Sequence, residues 1–217
     1  MEEWELRYCQ DWRGLERELN RKVYIGELVI HEIKKEGVLP SIQPKYHLSA
    51  GEKSIPVFEF HLKEPLYKDW VSKLEEALRL VGDYAKIGIE RIYITPTKIC
   101  GDYPVAGVDK RERLAYFPLS YLFSPQLSLH VWHENIHALL PEQKARIDES
   151  EEFAAKRLSK IFGRTILDGG WDPEYDLSSG WTSELKWDEK TVAGMLKMLE
   201  GCIREDILET ALKDIVK

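Results

Sequence analysis

The stretch Ser124–Glu142, SPQLSLHVWHENIHALLPE, decides the fold prediction, because it carries three of the six histidines on one predicted helix. Ser124 suits the cap of a helix and Pro125 its first turn, whereas Pro141 ends the run. Leucine, valine and isoleucine side chains between these limits recur at helical spacing. The pattern therefore predicts an apolar helix with its histidines on one side.

His133 and His137 are four residues apart, so on a helix their imidazoles leave the same face one turn apart. This is the spacing that two nitrogen donors need to bind one Zn²⁺ ion. Glu134 is one position round the helix, where its carboxylate can act on a water molecule without binding the ion. The pattern His-Glu-x-x-His is the signature of zinc-dependent peptidases. A helix with incidental histidines is the alternative interpretation.

A catalytic zinc ion usually has three protein ligands and one open position, so a third donor is needed. No histidine follows His137 in the chain. The donors that remain downstream are carboxylates and the distant Cys202. The nearest group is the acidic run DESEE, residues 148–152, on the next predicted helix.

The segments HVWHENIHALL and DESEEFAAKRL together resemble the zincin metallopeptidases, and among them the gluzincin type. In that family a glutamate on the helix after the motif helix is the third zinc ligand. Small intracellular members, including regulator-cleaving peptidases, have a Glu-x-x-x-Phe-Ala-Ala-x-x-Leu helix in this place. The resemblance covers residues 65–165 and assigns the ligand role to Glu149, four residues before Phe153. The alternatives, in order, are Glu152, Asp148 and Glu151.

This resemblance implies an α+β, zincin-like fold with a small mixed sheet, the motif helix beneath it and an edge strand above the cleft. It implies a Zn²⁺-dependent hydrolase, a peptidase acting on a peptide or protein substrate, with Glu134 as general base. Such enzymes commonly stabilise the oxyanion with a Tyr or His donor. The candidates are Tyr103, Tyr116, Tyr121 and Tyr175. A catalytically inactive metal-binding or protein-interaction domain is the alternative function, and a metal-free helical interaction domain is a third.

The motif core is expected at residues 65–165, between an N-terminal extension at 1–64 and a tail at 166–217. The extension is of mixed α/β character and can belong to the same domain. Residues 65–88 and 142–163 are predicted helices, and strands are expected around Ile92–Ile94 and Leu114–Phe117. The tail has a Trp-rich loop, whose tryptophans are expected to pack on the core, and then one long helix from about Thr191.

The composition argues against several functional classes of protein. The net charge of −7 over 217 residues argues against nucleic-acid binding. No run approaches eighteen apolar residues, so no membrane-spanning segment is expected. The three cysteines are far apart, which indicates reduced thiols in a cytoplasmic protein. The charged fraction of 32 % is typical of heat-adapted proteins. The sequence carries no signal for the oligomeric state.

Overall fold

The computed structural model describes residues 43–59, 65–95, 106–141, 149–167, 188–213 and 215. These ranges contain five β-strands, five α-helices and one 3₁₀ helix, Leu119–Phe123. The strands are β1 (Tyr46–Ala50), β2 (Lys53–Glu59), β3 (Arg91–Thr95), β4 (Gly107–Asp109) and β5 (Leu114–Pro118). The α-helices are α1 (Lys68–Gly82), α2 (Leu127–Leu139), α3 (Glu149–Ile166), α4 (Glu189–Met198) and α5 (Glu205–Lys213). The predicted α+β class with a small mixed sheet is confirmed.

The sheet has the order β1-β2-β3-β5-β4 among the described strands. β1 and β2 form an antiparallel hairpin, β2 and β3 are parallel and joined through α1, and β3 is also parallel to β5. β4 is antiparallel to β5 and lies at the outer edge. β5 is therefore an inner strand, and Pro118 is tolerated there because it is the last residue of the strand. β1 and β2 belong to the predicted N-terminal extension, residues 1–64, yet they lie in the same sheet as β3. The domain boundaries themselves stay predictions.

Helix α1 buries one apolar face, formed by Val71, Leu74, Leu78 and Val81, as its spacing predicts. It ends at Gly82 rather than at Gly88. The reason is a set of backbone hydrogen bonds to the C-terminal segment. Lys86 N donates to the Cys202 carbonyl at 2.7 Å, and Arg204 N donates to the Tyr84 carbonyl at 2.8 Å. These bonds form an isolated antiparallel bridge between Ala85 and Ile203.

Helix α2 contains the histidine motif and is buried on almost every side. It packs against α1, α3, β4 and β5. The helix begins at Leu127, later than predicted, because the Ser124 hydroxyl accepts a hydrogen bond from Gln126 N in the turn that precedes it. Gly88 lies so close to α2 that a Cβ atom there would be 2.9 Å from the Ala138 carbonyl carbon. The motif helix is thus central to the core.

The C-terminal region differs from the prediction of one long helix. It forms two helices, α4 and α5, because the chain turns at Gly201, whose φ is +71°. Glycine adopts this left-handed conformation without the steric cost that a side chain brings. Helix α3 continues past Gly163 to Ile166, so Gly163 does not end it as predicted. In the described part of the chain, no helix has the length and apolar character needed to cross a membrane.

Several predictions fall outside the described residues. They concern the part of the N-terminal extension before residue 43, the side chain of Asp148, and the Trp-rich loop with Trp171, Trp181 and Trp187. The oxyanion candidates Tyr103 and Tyr175 also lie there, as do Cys9 and Cys100. Of Glu149, the backbone begins α3, but its side chain is likewise outside the description.

Candidate metal centre

The two motif histidines point their imidazoles at a common place. His133 and His137 are buried, their ring centroids are 4.8 Å apart, and the ring planes are inclined at 70°. The Nε2 atoms of the two rings lie 3.2 Å apart. The predicted pairing of these two residues on one face of a helix is therefore present.

The third side chain at this place is Glu152 of α3. Its Oε2 atom lies 3.1 Å from His137 Nε2 and 3.5 Å from His133 Nε2. Two donors at about 2.0–2.1 Å from a tetrahedral zinc ion would be about 3.3–3.4 Å apart, so the triangle has the size that one ion requires. Among the described residues, this trio is the group of side chains that can hold a metal ion. Glu152 was the first alternative to Glu149, and the assignment to Glu149 stays a prediction.

The outward nitrogen of each imidazole has a partner that fixes the position of its proton. Ser159 donates its hydroxyl hydrogen to the Ala155 carbonyl at 2.8 Å, so its oxygen is left to accept from His133 Nδ1 at 3.3 Å. The carboxylate of Glu151 is 2.7 Å from His137 Nδ1 and can only accept. Both rings then carry a proton on Nδ1, so in the neutral form of each ring the Nε2 lone pair faces the centre.

Glu151 was the last alternative for the third zinc ligand, but its side chain occupies a different position. Its side chain lies on the Nδ1 side of His137, away from the Nε2 atom that faces Glu152. Glu151 is also paired with Lys110, whose Nζ atom is 2.5 Å from Oε1. Both of these side chains are almost completely buried. Glu151 is therefore an outer partner of His137 and is not the third donor.

The three facing atoms require a positive charge between them. Burial alone lowers the pKa of His137, but hydrogen bonds to Glu151 and Glu152 outweigh burial and raise it to about 10. Burial raises the pKa of Glu152, yet the His133 and His137 imidazoles hold it well below its usual value. Two imidazole lone pairs and a carboxylate repel one another unless a proton or a metal cation neutralises them. His137 supplies this positive charge as a protonated imidazole, and a metal cation bound at the same place would replace its proton.

Glu134 lies on the same helix and is buried beside the trio, with 7 % of its surface exposed. Burial raises the pKa of Glu134, whereas the His133 and His137 imidazoles lower it and the Glu152 carboxylate raises it again. A carboxylate with a raised pKa accepts protons more readily than an exposed one. Its surroundings fit the predicted proton-transfer role.

Two of the predicted tyrosines lie close enough to interact electrostatically with Glu134. Burial raises the pKa of Tyr116 well above its usual value and that of Tyr121 to about 12, and the Glu134 charge adds to both shifts. The Tyr116 hydroxyl is buried and has no hydrogen-bond partner among the described residues. The ring of Tyr121 stacks on His130 at 4.1 Å. Both hydroxyls stay protonated at neutral pH and can donate hydrogen bonds.

His130 occupies the same face of α2, one turn before His133. Burial and, to a smaller extent, the nearby His133 imidazole lower the pKa of His130 to about 4. His130 is therefore neutral at physiological pH and is a packed residue of the wall of the site.

Sequence reasoning missed Ser159 and Lys110. Ser159 follows Glu152 by seven residues, so helical periodicity could have placed it on the same face of α3. Lys110 comes from the turn between β4 and β5, and no local spacing indicates it. Comparison of the chain with protein-family models, with curated proteins and with solved structures found no match.

Proposed function

We propose that this chain is a zinc-dependent hydrolase of the zincin type that cleaves peptide bonds. The observation that carries the proposal is the triangle formed by His133 Nε2, His137 Nε2 and Glu152 Oε2, with sides of 3.1–3.5 Å. The tautomer of each imidazole leaves its lone pair directed at the centre of the triangle.

The donor set favours a transition-metal ion, and the His-Glu-x-x-His spacing favours zinc among these. Two imidazole nitrogens and one carboxylate oxygen form the ligand set of many catalytic zinc sites, whereas Mg²⁺ and Ca²⁺ prefer oxygen donors alone. Outer hydrogen bonds from ligand histidines to a carboxylate or hydroxyl are also typical of such sites. Ser159 and Glu151 supply these bonds here.

Zinc held by these three residues would supply a Lewis acid that polarises a carbonyl and makes water a nucleophile near neutral pH. The chain's own contribution to proton transfer is assigned to Glu134. Its carboxylate accepts the proton of the attacking water and later delivers it to the leaving amine. Tyr116 and Tyr121, which remain protonated, are the described residues suited to donate a hydrogen bond to the carbonyl oxygen.

A peptide substrate is supported by the edge of the sheet next to the motif helix. β4 pairs with β5 along one side and has no further strand partner among the described residues. β4 also packs against α2, the helix that carries Glu134. An extended peptide can bind by adding a strand to such an edge, which brings its backbone carbonyls alongside the site.

The burial of the site favours a second candidate, a metal site without catalysis. His133 and Glu134 each have 7 % of their surface exposed, and His137 has 9 %. A structural zinc site is closed, whereas a catalytic one keeps a position open for water and substrate. The two candidates make the same prediction for zinc binding and opposite predictions for hydrolysis.

The test uses the full chain, stripped of metal with a chelator and then titrated with zinc. One equivalent is expected to bind, and a mixture of internally quenched peptides is expected to be cleaved by the zinc form alone. Glu134→Gln is expected to retain zinc and lose cleavage by at least the 100-fold typical of a general base. If the parent binds zinc but cleaves nothing, the second candidate is correct. If the parent binds no zinc, both are wrong.

A further inference from the structure

Lys110 is a buried cation that the chemistry above does not use. It follows β4 in the turn to β5, and its side chain has 2 % of its surface exposed. Placing an ammonium group in a protein interior is costly unless it is paired. Its partner is Glu151 of α3, with Nζ and Oε1 2.5 Å apart.

The same oxygen, Glu151 Oε1, also contacts His137 on α2. Glu151 Oε1 lies 2.7 Å from His137 Nδ1, so Lys110, Glu151 and His137 form a continuous buried chain. The far end of this chain is His137 Nε2, one corner of the proposed zinc site. β4, α3 and α2 thus converge on a single charged contact.

The turn that carries Lys110 is itself fixed. The Asp109 carboxylate accepts hydrogen bonds from Arg111 N at 3.0 Å and from Glu112 N at 3.4 Å. Arg113 completes the turn with a φ of +48°, a left-handed conformation that is uncommon for a residue with a side chain. Such a turn holds the backbone of Lys110 in one orientation.

We infer that Lys110 is a positioning residue of the zinc site: it holds the Glu151 carboxylate in place to accept the Nδ1 proton of His137, and so directs His137 Nε2 at the ion. This inference rests on the proposed function. Removing Lys110 leaves a buried carboxylate without its cation, which is unfavourable and pulls Glu151 away from His137. The imidazole then loses the partner that fixes its tautomer and orientation.

The test is zinc affinity of the full chain, measured by competition with a chromogenic chelator. Lys110→Met and Glu151→Gln are each expected to weaken zinc binding by about 10–100-fold, the range for outer partners of a ligand histidine. Their combination is expected to weaken it by no more than the larger single effect, because both act through His137. Lys110→Arg keeps the cation and is expected to restore most of the affinity.

A control and a spectroscopic measurement separate positioning from general structural damage. Glu112→Gln alters an exposed ion pair in the same turn and is expected to leave zinc affinity unchanged. In long-range proton–nitrogen NMR spectra of the zinc form, the parent should show His137 protonated at Nδ1. Lys110→Met should shift or broaden that signal while the His133 signal persists.

Two results would overturn the inference. One is parental zinc affinity in a folded Lys110→Met protein. If that variant does not fold, the double variant Lys110→Met/Glu151→Gln, which removes both buried charges, provides the same test. Parental zinc affinity in the double variant is the other contrary result. Failure of the parent to bind zinc would instead refute the proposed function.

Discussion

Asn135 is bonded twice to the backbone around Gly88, which locks the motif helix to the segment before β3. Its side-chain oxygen accepts from Gly88 N at 2.8 Å, and its side-chain nitrogen donates to the Lys86 carbonyl at 2.9 Å. Asn135 is fully buried and lies between His133 and His137 in the sequence. One face of α2 therefore fixes the rotation of the helix, and another face carries the two histidines.

Asn135→Ala is expected to destabilise the protein by about 1–3 kcal/mol, because it leaves the buried Gly88 N–H without its partner and removes the part-buried bond to the Lys86 carbonyl. Urea unfolding of parent and variant measures the change. Ser72→Ala removes an exposed hydrogen bond to the Asp69 carbonyl and is expected to cost no more than about 0.5 kcal/mol. Equal effects of the two substitutions would show that Asn135 does not lock the helix.

Gly107→Ala and Gly194→Ala are expected to change stability in opposite directions. A Cβ atom at Gly107 would lie 2.2 Å from the Tyr116 hydroxyl oxygen, and Tyr116 is too buried to move freely. We expect a loss of about 1–3 kcal/mol from this overpacking. Gly194 lies inside α4 with no atom within 4 Å of the added Cβ, so alanine should gain about 0.5–1 kcal/mol. Thermal unfolding of both variants measures the two changes. A stabilised Gly107→Ala protein would show that Tyr116 does not restrict the space at residue 107.

The metal-free protein is expected to lose stability as pH rises. The pKa of His137 is raised from about 6.5 to about 10 in the folded chain, so its proton stabilises the fold fully below about pH 6.5. That contribution is lost as pH rises through 10. Zinc replaces the proton, so the zinc form should not show this loss. The free energy of unfolding is measured against pH with chelator present, for the parent and for His137→Phe, which corrects for other groups that titrate near pH 10. If the free energy of unfolding falls with pH equally in both proteins, the His137 proton does not stabilise the fold.

Glu152 and Glu149 can be compared directly as third ligands. Glu152→Ala is expected to weaken zinc binding by more than the roughly 10–100-fold loss typical of an outer partner, because it removes a donor atom. Glu149→Ala serves as the matched variant on the same turn of α3 and is expected to have a much smaller effect. Competition with a chelator measures both. The reverse order of effects would transfer the ligand role to Glu149.

The sequence predicts part of the site well because the relevant geometry is local. The four-residue spacing of His133 and His137 fixes their side chains on one face of a helix, whatever surrounds it. The third donor depends on the rotation of α3 about its own axis, which is set by tertiary packing and not by a local spacing. No periodicity within α3 can distinguish Glu149 from Glu152. Lys110 reaches the site through strand pairing, which is a long-range relationship.

In the fold, too, the elements that depend on local spacing were predicted and those that depend on tertiary contacts were not. The apolar face of α1 and the alternation of Ile92 and Ile94 in β3 predicted those elements. The break between α4 and α5 was missed because apolar residues continue at helical spacing on both sides of Gly201. The conformation of that glycine is stabilised by tertiary contacts, among them the bond of Lys86 N to the Cys202 carbonyl.

The most direct test of the central claim is an anomalous-scattering map, at the zinc absorption edge, from crystals of the full chain grown with one equivalent of zinc. The account predicts one strong peak about 2.0–2.1 Å from His133 Nε2, His137 Nε2 and a carboxylate oxygen of Glu152. A map without a peak there, with the imidazoles bonded to Glu152 through a proton alone, would contradict it.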